Sequence, residues 1–251
     1  MTGSWLWNPR PRPMASARLL CFPYAGGGPS AYLPWLRLLP QQVELWIVSA
    51  PGGELRPDEP VETQRTRYVA AVCDALLQWP RLPMALFGHS FGAITAFEVA
   101  RACAAQGRLP RRLFLAGKGV APEDLDVATL CRLPDEQFLA DVRARYGGPP
   151  RELDEAEDLR RVVMSRLRAD LVLLASEPFT PEPALAVETT ILFSPEDSSI
   201  SPGGLDAWAR CFVRPPSYRP YPGGHFFINS VRQSVVGDVR DALVDALAGQ
   251  P

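Results

Sequence analysis

With 251 residues, 47% of them apolar and 22% charged, the chain has enough apolar mass for one substantial core and too much for general disorder. Its 26 basic and 28 acidic residues leave a formal net charge of -2, which gives no argument for a nucleic-acid partner. No apolar run approaches the roughly 18 residues of a membrane span, and the N-terminus lacks the apolar stretch of a signal peptide, so a cytoplasmic protein is expected.

Residues 1–16 read as a tail. Pro9, Pro11 and Pro13 alternate with Arg10 and Arg12, a pattern that sustains neither a helix nor a central strand, although Trp5 and Trp7 suit an edge of the core. Short apolar runs then predict strands at 18–22, 45–49, 84–87, 112–116 and 190–193, with a weaker one across 212–221. Between them, residues 65–79 carry Val69, Val72, Ala75 and Leu76 at helical spacing, 91–105 form an alanine-rich helix, and a last helix covers 231–247. Continuous apolar runs separated by helices call for a mostly parallel sheet covered on both faces, an α/β architecture. Residues 122–180 contain no strand candidate and predict helices at 135–145 and 155–166 and a run through 171–174. They are expected to form a helical lid that divides the core into 17–121 and 181–251. The five cysteines show neither a CxxC pair nor metal spacing, and read as reduced core thiols.

The chemistry centres on residues 88–92, Gly-His-Ser-Phe-Gly, lying between a predicted strand and a predicted helix. That context gives a GxSxG match meaning: a serine on a very tight strand-to-helix turn projects its hydroxyl clear of the sheet, and the flanking glycines avoid collisions that a Cβ would cause. Ser90 is the expected nucleophile, near a helix N-terminus that favours developing negative charge. Of the two histidines, His89 lies within the elbow and is expected to point away from the hydroxyl, as a packing or positioning residue. His225, on a loop after the last strand candidate, is the expected base. A carboxylate to orient it should follow strand 190–193; Glu196 and Asp197 both qualify, with Asp197 preferred because it sits farther into the turn. The oxyanion donors are expected to be the backbone N–H of Phe91 and one from the loop after the first core strand, with Ala25 chosen and Tyr24 or Gly26 as neighbours. No nucleotide-binding glycine pattern and no metal site is visible, so no cofactor or metal is expected.

Further motifs surround these residues: 20–28 (LCFPYAGGG), 51–56 (PGGELR), 88–93 (GHSFGA), 133–138 (LPDEQF), Gly147-Gly148, 167–170 (LRAD) and 223–227 (GGHFF). With them the chain, from residue 17 onward, resembles the type II thioesterases that accompany modular polyketide and nonribosomal peptide synthases, members of the α/β-hydrolase superfamily. Two departures stand out. Ser194 replaces a glycine usual before the aspartate turn, and residues 116–121 lack an arginine often seen there. The resemblance implies hydrolysis of acyl thioesters on the phosphopantetheine arm of acyl or peptidyl carrier proteins, to remove aberrant or stalled acyl groups, by a monomer or weak oligomer. It also implies a lid over the acyl chamber, with Tyr24 and Gly26 on the core side and Phe138, Tyr146, Leu171 and Leu174 on the lid side as substrate-binding residues, any of the lid four being equally suited to packing within the lid. The triad alone would serve a small-ester carboxylesterase equally well; the flanking motifs favour the thioester. A product-releasing thioesterase is less expected because no carrier domain precedes residue 17, and a non-catalytic carrier-binding protein less still because every triad candidate is present.

Overall fold

Strand residues alternate between two apolar faces, and the chain covers both. In the computed structural model, which describes residues 4–120, 127–148 and 155–248, the strands are β1 (Leu6–Trp7), β2 (Ala17–Phe22), β3 (Val43–Val48), β4 (Met84–His89), β5 (Arg112–Ala116), β6 (Glu188–Phe193) and β7 (Ser217–Pro220). They form one sheet in the order β1-β3-β2-β4-β5-β6-β7, parallel throughout except for β1. The helices are α1 (Arg65–Leu77), α2 (Phe91–Ala105), α3 (Val127–Arg132), α4 (Asp135–Tyr146), α5 (Glu157–Ala175), α6 (Pro202–Asp206), α7 (Phe227–Ser230) and α8 (Arg232–Ala248). Leu20, Leu86, Leu113 and Leu115 face α1 and α2, while Leu19, Cys21, Ala85, Phe87 and Phe114 face α8. Each of these buried leucines and phenylalanines contributes about 1.5–3 kcal/mol of transfer free energy. This is the α/β-hydrolase fold.

Helix α2 lies directly on the sheet because its inward residues are small. Ala93, Ala96 and Ala100 are fully buried, leaving room for a close approach to β4 and β5. Cys21, Cys73, Cys103 and Cys211 are buried free thiols, and Cys131 is half-buried.

Three elements differ from the sequence expectation. Within the stretch read as a tail, Leu6 and Trp7 pair antiparallel with Val48 and Ile47, and the Arg12 guanidinium is buried, donating to Val43 O at 2.6 Å and Leu36 O at 3.0 Å. The helix at 155–166 and the run at 171–174 are one helix, α5, since no glycine or proline interrupts it. Residues Pro29–Arg37, unassigned from sequence, form a 3-10 helix with Tyr32 and Trp35 fully buried. The expected lid boundary at 121/122 lies outside the described residues.

Helices α3, α4 and α5 stand between β5 and β6 with an apolar core of their own: Leu130, Phe138, Leu139, Val142, Met164, Leu167 and Leu171. The end of α5 is fastened to the main body by Arg65. This buried guanidinium pairs with Glu98 on α2 at 3.0 Å and donates to Leu174 O and Glu177 O, both at 2.7 Å.

Candidate active site

Strand β4 ends at His89, and Ser90 turns the chain into α2 with φ 56° and ψ -120°. It is the one non-glycine with positive φ among the described residues, a conformation costing about 1–3 kcal/mol and held by its surroundings. Its N–H donates to Ala116 O at 2.8 Å, prolonging the β4–β5 ladder into the turn. Both flanking glycines are sterically required: a Cβ on Gly88 would stand 2.0 Å from Gly92 O, and one on Gly92 would stand 2.1 Å from Phe22 O.

His225 Nε2 lies 3.0 Å from Ser90 Oγ, and its Nδ1 lies 2.7 Å from Asp197 Oδ2. An ionised carboxylate only accepts, so Nδ1 carries the proton and Nε2 is left bare toward the serine hydroxyl. Burial pushes the Asp197 carboxyl up, but the hydrogen bond and charge of His225, together with Ser199, outweigh it and hold the group below its ordinary value. Its second oxygen accepts from Ser199 Oγ at 2.6 Å and Ser199 N at 3.1 Å. Glu196 is exposed and accepts instead from Gly223 N at 3.3 Å, on the histidine loop. Ser194 serves this turn without a glycine: its hydroxyl accepts from Glu196 N at 3.2 Å and its carbonyl from Asp197 N at 3.1 Å.

His89 is fully buried beside the rings of Tyr24, Phe226 and Phe227, and its Nε2–H donates to His225 O at 2.8 Å. Burial, with His225 beside it, lowers the imidazole to about 3, so the ring is neutral and its buried Nδ1 has no partner.

The serine opens into a cavity of about 710 Å³. Tyr24, Ala25, Gly26 and Phe91 border it on the core side, and Tyr146, Leu171 and Leu174 on the lid side. The Tyr146 ring lies 5.0 Å from the His225 ring. Ala25 and Phe91 line the same cavity as Ser90, and Gly26 N–H donates to Asp170 Oδ2 at 2.9 Å. Phe138 does not reach the cavity. It faces α5 inside the lid's core, fully buried, with Arg168 stacked over its ring at 4.1 Å.

Three neighbours escaped the sequence reading. Lys118 borders the cavity, its ammonium lowered to about 8 by burial against the opposing charge of Asp197. Val163 forms part of the lid wall. Ser199 had a local signal, a serine two residues after an aspartate, the spacing of an Asx turn. Among the described residues no helix is long and apolar enough to cross a membrane, and no group of three His, Cys, Asp or Glu is placed to hold a metal ion.

Comparison with known proteins bears on this geometry. Residues 17–243 match the model of the thioesterase domain family. The chain is 30% identical over 233 residues to the gramicidin S biosynthesis protein GrsT of Aneurinibacillus migulanus, covering 92% of this chain and 91% of that one. It superposes on the RedJ thioesterase of the prodiginine pathway in Streptomyces coelicolor with a TM-score of 0.81 and 32% identity, over 94% of this chain and 92% of that one. A type II thioesterase from the borrelidin biosynthetic cluster, BorB, superposes with a TM-score of 0.84 and 26% identity, over 96% and 99% of the two chains. A serine hydroxyl hydrogen-bonded to a histidine that a buried aspartate orients, on this fold and with this family match, identifies the chain as a member of the thioesterase family, of the type II class.

Proposed function

We propose that this enzyme hydrolyses acyl thioesters carried on the phosphopantetheine arm of acyl or peptidyl carrier proteins, clearing aberrant or stalled acyl groups from a modular synthase. The observation that carries the reading is the Ser90-His225-Asp197 chain of hydrogen bonds opening into a cavity bounded by helices α4 and α5. Ser90 Oγ attacks the thioester carbonyl as its proton passes to His225 Nε2. Asp197 holds the imidazole in the required tautomer and stabilises the imidazolium. The Phe91 and Ala25 amides receive the oxyanion, each such donor lowering the barrier by about 3 kcal/mol. The pantetheine thiol departs, and water deprotonated by His225 releases the acid. The chain works in the cytoplasm, where its five free cysteines stay reduced, as a monomer or weak oligomer.

The test is turnover of acetyl, propionyl and longer acyl groups on a phosphopantetheinylated carrier, beside the matching oxygen esters. The wild type should prefer the loaded carrier, and Ser90→Ala should lower kcat by about 10⁴-fold or more. Equal efficiency on simple oxygen esters would refute the substrate class; activity surviving in Ser90→Ala would refute the mechanism.

A further inference from the structure

The loop carrying Ala25 is held partly by its own turn and partly by α5. Two hydrogen bonds fix the two peptide planes that flank Ala25. Tyr24 O accepts from Gly27 N at 2.9 Å, which orients the plane containing the Ala25 N–H. Gly26 N donates to Asp170 Oδ2 at 2.9 Å, which orients the next plane. Gly26 has φ +72°, the left-handed value that a tight turn takes at its second central position.

Asp170 comes from α5, 144 residues away, and is 2% exposed. Its other oxygen pairs with the equally buried Arg166, one turn earlier on the same helix. Arg166 in turn donates to Pro51 O at 2.8 Å, in the loop after β3. Between these two residues α5 meets the oxyanion loop without slack: a Cβ on Gly26 would stand 2.9 Å from Leu167 Cβ.

From this we infer that Asp170 is a positioning residue for the oxyanion hole, and that Arg166 neutralises it. The inference rests on the thioester-hydrolysis reading and deepens it. A carboxylate is the strongest acceptor available for a backbone N–H. An unpaired anion so close to a developing oxyanion would oppose the reaction, however, and the pair with Arg166 removes that field while satisfying the remaining lone pairs. The 166–170 segment of α5 is thereby part of the catalytic apparatus, although in sequence it belongs to the lid.

Two double variants isolate the hydrogen bond. Arg166→Met with Asp170→Asn removes the ion pair but keeps an acceptor for Gly26 N–H; Arg166→Met with Asp170→Leu removes both. They share the loss of buried charge, so their difference reports the acceptor. On an acyl-phosphopantetheine thioester the leucine variant should show a kcat at least about 20-fold below the asparagine variant, with KM within about threefold. Its affinity for the corresponding trifluoromethyl ketone, which forms a tetrahedral adduct on Ser90, should weaken by the same factor. Equal kcat in the two variants, or a loss confined to KM, would overturn the inference. Should either variant fail to fold, amide exchange on the wild type decides. Gly26 N–H should be protected in the free enzyme while Ala25 N–H becomes protected only with the ketone bound, and a Gly26 amide exchanging as fast as Ala25 overturns the proposal. The exchange measurement needs no turnover, so failure of the thioesterase reading in Ser90→Ala is distinguishable from failure here.

Discussion

The elbow at Ser90 and the helical insertion share one cavity but are stabilised by different physics. The elbow is fixed by backbone sterics. Gly88 and Gly92 admit no side chain, and Ser90 N is tied into the β4–β5 ladder. The insertion is fixed by side chains, a small apolar core around Phe138 and Leu171 with ion pairs such as Arg168–Asp135 at 2.8 Å outside it. The nucleophile is thus set by backbone that admits no added side chain, and the chamber wall by packed side chains, with the 166–170 segment of α5 reaching from one to the other.

That division is open to direct test, beginning on the sheet side with the largest effect. Asp197→Asn should lower kcat by about 10⁴-fold by leaving the wrong imidazole tautomer facing Ser90, whereas Glu196→Gln should cost less than about tenfold. Steady-state kinetics on one thioester compares them, and a severe loss confined to Glu196→Gln would reverse the carboxylate assignment. On the lid side, Phe138→Ala should destabilise the fold by about 3–5 kcal/mol in urea unfolding. Its acyl-length profile should nevertheless stay unchanged, because the ring never meets the cavity.

His89 sharpens the contrast through pH. Its folded value of about 3 lies below the roughly 6.5 of an exposed imidazole. The unfolded chain therefore takes up a proton below 6.5 that the folded chain refuses, and stability falls as pH drops through this window. Between pH 7 and 5 the loss amounts to about 2 kcal/mol. His89→Gln retains a donor for His225 O, and its stability should vary with pH by that much less; an identical slope in both proteins would show His89 to be uninvolved. The smallest effect belongs to the lid wall. Leu171→Ala should favour longer acyl chains by about 0.8 kcal/mol, or fourfold in kcat/KM, for each methylene the enlarged chamber accepts.

Legibility followed the same line. Backbone sterics write themselves locally, so the elbow was readable from five residues, and two histidines left a short search for the base. Asp197 was preferred over Glu196 on turn position, and the structure puts its carboxylate on His225 while Glu196 reaches Gly223. The lid was readable as helices but not as surfaces. An apolar stripe at helical spacing says that a face is buried without saying against what, which is why Phe138 packs on α5 rather than on the cavity. Residues 29–37 carry no helical signal in the sequence, although Pro29 at the first helical position is accepted because its missing N–H would be unpaired there anyway. Asp170 is visible in the sequence only as part of the 167–170 motif and without a role, because nothing in a local window records a partner 144 residues away.

The outer edges of the sheet carry one more consequence. β1 offers only Leu6 and Trp7 before Pro9, Pro11 and Pro13, and β7 is four exposed residues that include Arg219 and end in Pro220. Proline donates no hydrogen bond and a guanidinium resists being stripped of water, so neither rim can template the addition of a foreign strand. Both rims of the sheet are thereby poor templates for edge-to-edge pairing between copies of the chain.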